Sequence, residues 1–142
     1  MFLCLAATAS FALDPDRPVA HFAATSWDVS SGLPQNSVQV ITQTSDGYLW
    51  VGTGDGLARF DAHTFTVFTH ATIPELTSDT ITALHEAPDG RLWIGTDGGG
   101  FLYYERGRFI RPPTAGGLER VTIRSIQNAG DGHQRILLSN RL

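Results

Sequence analysis

The sequence is poor in the residues that usually announce a reaction. It has a single cysteine, Cys4, in 142 residues, which excludes a disulfide framework and any cysteine-based zinc site. Charge is scarce at 17%, and 10 Lys+Arg against 14 Asp+Glu leave a net charge of −4. No basic stripe exists to neutralise phosphates, so nucleic acid is not an expected partner. No apolar run approaches the ~20 residues of a membrane-spanning helix. The five histidines, His21, His63, His70, His85 and His133, form no H-E-x-x-H or other ligand spacing, and no D-x-D-x-D-G calcium loop occurs. No G-x-S-x-G elbow is present, and nothing assembles a nucleophile with a base and an oxyanion hole. The sequence therefore gives no catalytic residue, no metal ligand and no cofactor. What it has instead is 42% apolar residues and 15 glycines, the composition of one globular domain rich in tight turns.

Residues 1–12, Met-Phe-Leu-Cys-Leu-Ala-Ala-Thr-Ala-Ser-Phe-Ala, read as a signal peptide. Ser10 and Ala12 occupy the −3 and −1 positions of a small-residue cleavage site before Leu13. The basic n-region is lacking, since Arg17 is the first cation of the chain. A start inside a longer leader is one explanation; the other reading of the segment is a buried or frayed N-terminus.

The strongest signal is internal repetition. Asp46-Gly47-Tyr48-Leu49-Trp50-Val51-Gly52-Thr53 returns 43 residues later as Asp89-Gly90-Arg91-Leu92-Trp93-Ile94-Gly95-Thr96. Ser37 to Ile41 matches Thr80 to Leu84 at the same offset, which sets Thr42 against His85. Leu57-Ala58-Arg59-Phe60 matches Phe101-Leu102-Tyr103-Tyr104 at 44, one glycine having entered around Gly98 to Gly100. A third, degraded copy follows. Ile123 to Ile126 aligns with Ile81 to Leu84, and Asp131-Gly132 with Asp89-Gly90. If His133-Gln134 are an insertion, Arg135 to Asn140 lie over Arg91 to Thr96, with Leu137 replacing the tryptophan and Ser139 the glycine.

A period of 42–44 residues suits a four-stranded propeller blade. Each copy contains short apolar runs, in the first copy Val38–Thr42, Leu49–Gly52, Leu57–Phe60 and Phe65–Phe68. Asp-Gly and Gly-Asp-Gly separate them, and a tight primed turn with positive φ needs such residues. Leu49-Trp50-Val51 is apolar without alternation, as in a strand buried on both faces. The expected fold is all-β, an incomplete propeller of two blades and part of a third. Residues 13–36 are expected to be a lead-in strand and linker that includes Trp27; residues 37–79 repeat 1; 80–122 repeat 2; 123–142 partial repeat 3.

Within this scheme Asp46, Gly47, Trp50, Gly52 and Thr53, and Asp89, Gly90, Trp93, Gly95 and Thr96, are structural. A tryptophan in the same register in successive copies fills the gap between sheets, and an aspartate before glycine serves a turn. The glycine runs at 52–56 and 95–100 lead into strand-like sequence and not into the helix that a phosphate site requires.

Gly32-Leu33-Pro34-Gln35-Asn36-Ser37-Val38, Asp46 to Thr53 and Gly56-Leu57-Ala58-Arg59-Phe60 together resemble the two-component regulator propeller repeat, over about residues 27 to 140. That repeat has a GLP-x-N-x-V opening, a D-G-x-L-W-I-G-T centre and a G-L-x-R-[FY] close. The second copy departs in its opening, Leu76 to Ile81, and the third lacks the centre. The resemblance implies the N-terminal part of the periplasmic sensing region of a bacterial receptor, non-catalytic itself. In such a receptor propellers precede a β-sandwich, one transmembrane helix and an output module, most often a histidine kinase and sometimes a diguanylate cyclase. It further implies a small ligand on a propeller face, with polysaccharide fragments as a class. The partners would be the rest of the receptor polypeptide and, through it, a homodimer. Three periods cannot close a ring of four to eight blades, so a piece of a longer or truncated gene product is expected. Two other readings fit the residues: a fragment of a propeller-type lyase or hydrolase, and a stand-alone binding module that completes its ring by oligomerising.

Overall fold

A computed structural model describes residues 25–130 and 133–139. The leader reading, Cys4, the start of the lead-in, Asp131 and residues 140–142 lie outside them. Three antiparallel sheets follow one another along the chain. Sheet 1 is the meander β1 (Val38–Gln43), β2 (Leu49–Thr53), β3 (Leu57–Phe60) and β4 (Phe65–Phe68). Sheet 2 repeats it as β5 (Ile81–Glu86), β6 (Leu92–Thr96), β7 (Phe101–Glu105) and β8 (Arg108–Ile110). Sheet 3 pairs β9 (Thr122–Asn128) with β10 (Gln134–Ser139). The only helical pieces among the described residues are two single 3₁₀ turns, Val29–Ser31 and Pro113–Ala115. The described residues form an all-β fold, and their sheets do not close into a ring.

The first strands β1, β5 and β9 are neighbours in space, so the sheets stack face on face about a common inner edge. Between sheets 1 and 2 lies a core of Trp50, Leu57, Leu76, Ile81, Leu92, Ile94, Leu102 and Phe109. Between sheets 2 and 3 lies a second, of Ala83, Phe101, Ala115, Ile123 and Ile126. Side chains of β2 and β6 are buried towards both sides (iBBBB and BiBBB), which is why these strands read as unbroken apolar runs. Removing a large apolar side chain of this kind from water contributes about 1.5–3 kcal/mol.

The Asp-Gly turns differ from the primed form expected of them. Thr44 N donates to Tyr48 O at 2.9 Å and Gly47 N to Thr44 O at 2.8 Å, and only Gly47 of the turn has positive φ, +91°. This is a three-residue loop with one left-handed glycine at its end. Sheet 2 repeats it from Ala87 to Arg91, with Gly90 at φ +82°.

In sheet 3 Ala129 N donates to His133 O, so this hairpin has the same length as the other two and contains no insertion. Its register sets Arg135 opposite Gln127 and Leu137 opposite Ser125, as Trp93 faces His85 and Gly95 faces Ala83. Arg135 therefore stands at the tryptophan position and Leu137 at the glycine position. The expected placement of Leu137 over tryptophan and Ser139 over glycine is corrected. It matched Arg135 with Arg91 by residue type, whereas turn closure decides the register.

Trp27 is also corrected. Residues 25–37 contain no strand; Trp27 is 43% exposed and packs edge-on against Phe60 with ring centroids 5.2 Å apart.

Candidate functional site

The repeat residues make their contacts within the fold. Asp46 Oδ1 accepts from Thr44 Oγ1 (2.5 Å) and Tyr48 N (3.4 Å), and Asp89 Oδ1 accepts from Arg91 N (3.1 Å). Thr53 and Thr96, both fully buried, donate their hydroxyls across the next turn to Gly56 O (2.9 Å) and Gly100 O (2.8 Å). Gly52 and Gly95 carry the sheet-to-sheet approach. A Cβ on Gly52 would lie 2.6 Å from Ile81 Cγ2, and one on Gly95 2.5 Å from Ile123 Cγ2. The isoleucine that opens each following sheet thus presses into the space that the preceding glycine leaves.

The two tryptophans are in different states. Trp50 is 1% exposed, lies 4.9 Å from Tyr104 of the next sheet and donates its Nε1–H to Thr44 Oγ1 at 3.1 Å. Trp93 is half-buried, and its Nε1 has no partner. The residue that would accept from it is Ala87, at the position Thr44 holds in sheet 1.

Two inter-sheet grooves open on the end that carries the Asp-Gly turns. The first, about 170 Å³, is lined by Tyr48, Trp50, Arg59, Glu86, Tyr104 and Glu105 among others. Arg59 and Glu86 are engaged from within. Arg59 sits 4.5 Å over the Tyr48 ring and donates to Tyr104 Oη at 3.0 Å. The Glu86 carboxylate takes the Ser45 N–H (2.9 Å) and hydroxyl (2.7 Å), tying sheet 2 to the first turn of sheet 1. The second groove, about 390 Å³, is lined by Trp93, Phe101, Gln134 and Ile136, with Asp89 and Arg91 at its rim. Arg91 lies 5.1 Å over Tyr103. Its hydrogen bond to Glu105, and then the charge of Asp89, hold its guanidinium still more firmly protonated. Thr114 and His133 complete the lining of the second groove. Among the described residues no group of three or more His, Cys, Asp or Glu could hold a metal ion.

The opposite end is a polar weave between sheets. Gln35 binds Gly54 N (3.2 Å) and Asp55 (3.2 Å). Thr80 donates to Gly54 O (3.0 Å) and Ser78 to Asp97 O (2.8 Å), while Thr122 donates to the Asp97 carboxylate. Arg111 Nη2 reaches Glu75 O, Thr77 Oγ1 and Gly99 O at 2.8–3.1 Å. On the long β4–β5 loop, Asp79 accepts from both the backbone and the ring of His70.

Two features were not read in full from the sequence, the place of Leu118 and an exchanged stack. Leu33, Leu76 and Leu118 are one repeated position, each packed over its own sheet. The Tyr48–Arg59 stack returns in sheet 2 with its partners exchanged, as Arg91–Tyr103.

Successive four-stranded meanders stacked about their first strands define a run of β-propeller blades. Residues 32–55 and 75–98 match the two-component regulator propeller family model, and these segments are two such repeats, bracketing the first two strands of sheets 1 and 2. Among curated proteins, the histidine kinase P4 of Formosa agariphila is 47% identical over 49 residues, which is 34% of this chain and 4% of that one. Among solved structures, the extracellular domain of the hybrid two-component system BT4673 from B. thetaiotaomicron superposes with a TM-score of 0.68 at 26% identity, over 82% of this chain and 16% of that domain. That of BT3049 from the same organism gives 0.67 at 23%, over 80% and 16%, a likeness of fold. The chain thus spans a small fraction of each of these proteins. Among the described residues no helix is long and apolar enough to cross a membrane.

Proposed function

We propose that the chain is part of the ligand-sensing propeller of a two-component receptor of the sensor histidine kinase type, placed on the periplasmic side of the membrane and non-catalytic itself. The observation that carries this is the agreement of two findings. The family model matches the first two strands of each of the first two blades, and 82% of the chain superposes on the extracellular domain of a hybrid two-component system. The first inter-sheet groove favours a binding role over a chemical one, because Arg59 is held by Tyr48 and Tyr104 and the Glu86 carboxylate by Ser45. On this reading a small ligand, of the polysaccharide-fragment class, is bound at loops on one end of the blades. It drives the receptor only to the extent that its affinity differs between two receptor states. The partners are the rest of the receptor polypeptide and a second copy of the receptor.

The test is calorimetry with a panel of polysaccharide fragments on the polypeptide that carries this segment, followed by analysis of each fragment for cleavage. Saturable binding without product, together with fragment-dependent phosphorylation by the receptor, supports sensing. Catalytic turnover of a fragment assigns the chain to a propeller lyase or hydrolase instead.

A further inference from the structure

Sheets 2 and 3 face each other across a groove that departs from the repeat on both walls. The wall from sheet 2 lacks an acceptor. Trp50 donates its indole N–H to Thr44, a residue of its own sheet. Ala87 stands at that place in sheet 2, and the Trp93 indole N–H is shielded from water with no partner. His85, opposite Trp93 in the ladder and so on the same face, also keeps its Nε2 shielded and unpartnered. The wall from sheet 3 carries a polar side chain in place of an apolar one. Gln134 pairs with Asn128 as Leu92 pairs with Glu86 and Leu49 with Gln43, so glutamine holds the position of two leucines. It stands two residues before Ile136, which packs on the core shared with sheet 2, and so points the same way. Its Oε1 is again shielded and without a partner. Buried polar atoms are ordinarily paired. Four unpaired ones occur among the described residues, and three of them meet in this gap, the fourth being Arg111 Nη1.

The groove also has the size and lining of a small-molecule site. Its volume is about 390 Å³, within the range such sites occupy, against about 170 Å³ for the groove between sheets 1 and 2. Trp93, Phe101 and Ile136 give it an apolar wall, with the Trp93 and Phe101 ring centroids 5.8 Å apart. The charges at its rim, Asp89 and Arg91, are paired with each other at 3.6 Å, so the rim selects no ion.

We propose that the groove between sheets 2 and 3 binds a small uncharged ring that bears hydroxyls and one apolar face. The apolar face lies on Trp93 and Phe101. One hydroxyl accepts from the Trp93 indole N–H and donates to Gln134 Oε1, since a hydroxyl does both at once. Neither atom meets water as the groove stands, so the Gln134 amide turns to receive the hydroxyl, and its oxygen gives up no hydrogen bond in doing so. Ala87 and Gln134 leave the ligand-free fold with unpaired polar atoms, and a ligand that pairs them stabilises it. The inference stands on the groove and not on the sensing reading. A ring that binds here without altering receptor phosphorylation defeats that reading alone.

The experiment is an NMR titration of the full chain with methyl glucoside and, separately, with cyclohexanediol, followed at the indole N–H resonances, which Trp93→Phe assigns. The Trp93 signal is expected to move saturably with at least one of the rings in the millimolar range, while that of Trp50, bonded to Thr44, stays in place. A response to the glucoside alone makes the ligand a sugar, and a response to the diol makes a simpler cyclic alcohol sufficient. Ala87→Thr and Gln134→Leu restore what the other sheets carry. Each is therefore expected to melt no lower than the unaltered chain and yet to weaken binding at least about ten-fold, a divergence that a purely structural role for these residues would not produce. Should either variant lower the melt, the other decides. A Trp93 signal that neither ring moves, or binding that a folded Ala87→Thr or Gln134→Leu chain retains in full, overturns the proposal.

Discussion

Gly52→Ala tests the contact on which the stack of sheets depends. The backbone at Gly52 is ordinary extended strand, so alanine alone should be welcome there, with a gain of roughly 0.5–1 kcal/mol from the reduced entropy of the unfolded chain. The space is not available. The new Cβ would stand 2.6 Å from Ile81 Cγ2, 2.7 Å from Val40 Cγ1 and 2.9 Å from Ile81 Cβ. Ile81 is 0% exposed and held in the core between the sheets, so it cannot swing clear into solvent. Overpacking of this degree costs about 1–3 kcal/mol and outweighs the entropic gain, giving a fall in Tm of several degrees, on the order of 2–8 °C per kcal/mol for domains near this size.

Gly47→Ala is the control, because nothing lies within 4 Å of its Cβ but its φ is +91°. Its cost, about 1 kcal/mol, arises in the backbone, so Asn should be tolerated at 47 and not at 52. The two positions separate again in a double-mutant cycle with Ile81→Ala. Removing Cγ2 should relieve Gly52→Ala, with a coupling of about 1 kcal/mol, and leave Gly47→Ala unchanged. Denaturant unfolding of the six chains gives both cycles. A Gly52→Ala protein as stable as the wild type, or a Gly52–Ile81 coupling near zero, would refute the claim that this glycine exists to admit the next sheet.

Further outcomes follow from other contacts. Thr44→Ala should destabilise by about 1–2 kcal/mol, since the Trp50 indole N–H is left buried without an acceptor, whereas Ala87→Thr should stabilise by up to about 1 kcal/mol by giving Trp93 one; thermal melts of both check the pair. Tyr48→Arg together with Arg59→Tyr copies the arrangement of sheet 2, and should lie closer in stability to the wild type than either single change, each of which removes a stacked cation worth about 0.5–1 kcal/mol. The Asp61 carboxylate accepts from the backbone of Thr64 and of His63, which lowers its pKa below the ordinary 3.8. Its support of the β3–β4 turn is therefore complete above that value and is lost as the pH falls through the lowered one. Amide shifts of His63 and Thr64 in an NMR titration should move only in that acid range, and Asp61→Asn should remove the transition.

The repeat was legible wherever one residue type does the same work in each sheet. Trp50 and Trp93, the Asp-Gly turns and the threonines that close the next turn kept identity and spacing together, so the offset revealed sheets, strands and the longer turn at Gly100. Legibility failed where the same work is done by different residues. Tyr48 and Arg59 against Arg91 and Tyr103 compare as two mismatches column by column, although together they are one conserved stack. Leu33 and Leu76 stand together in the openings of the first two copies, but the neighbours of Leu118 differ enough to hide the third. In the third sheet the error went further, because likeness of residues conflicted with turn closure. Matching Arg135 with Arg91 required an insertion that the hydrogen bond from Ala129 to His133 rules out. Once that bond sets the register, Leu137 stands where the first two sheets have glycine, and its meaning changes. As a substitute for tryptophan it would be a modest loss of packing, but at the glycine position it closes the space that admits a following isoleucine. A blade signature is thus two requirements joined in one strand, an indole to fill the gap and a missing side chain to receive the next sheet, and sheet 3 has lost both.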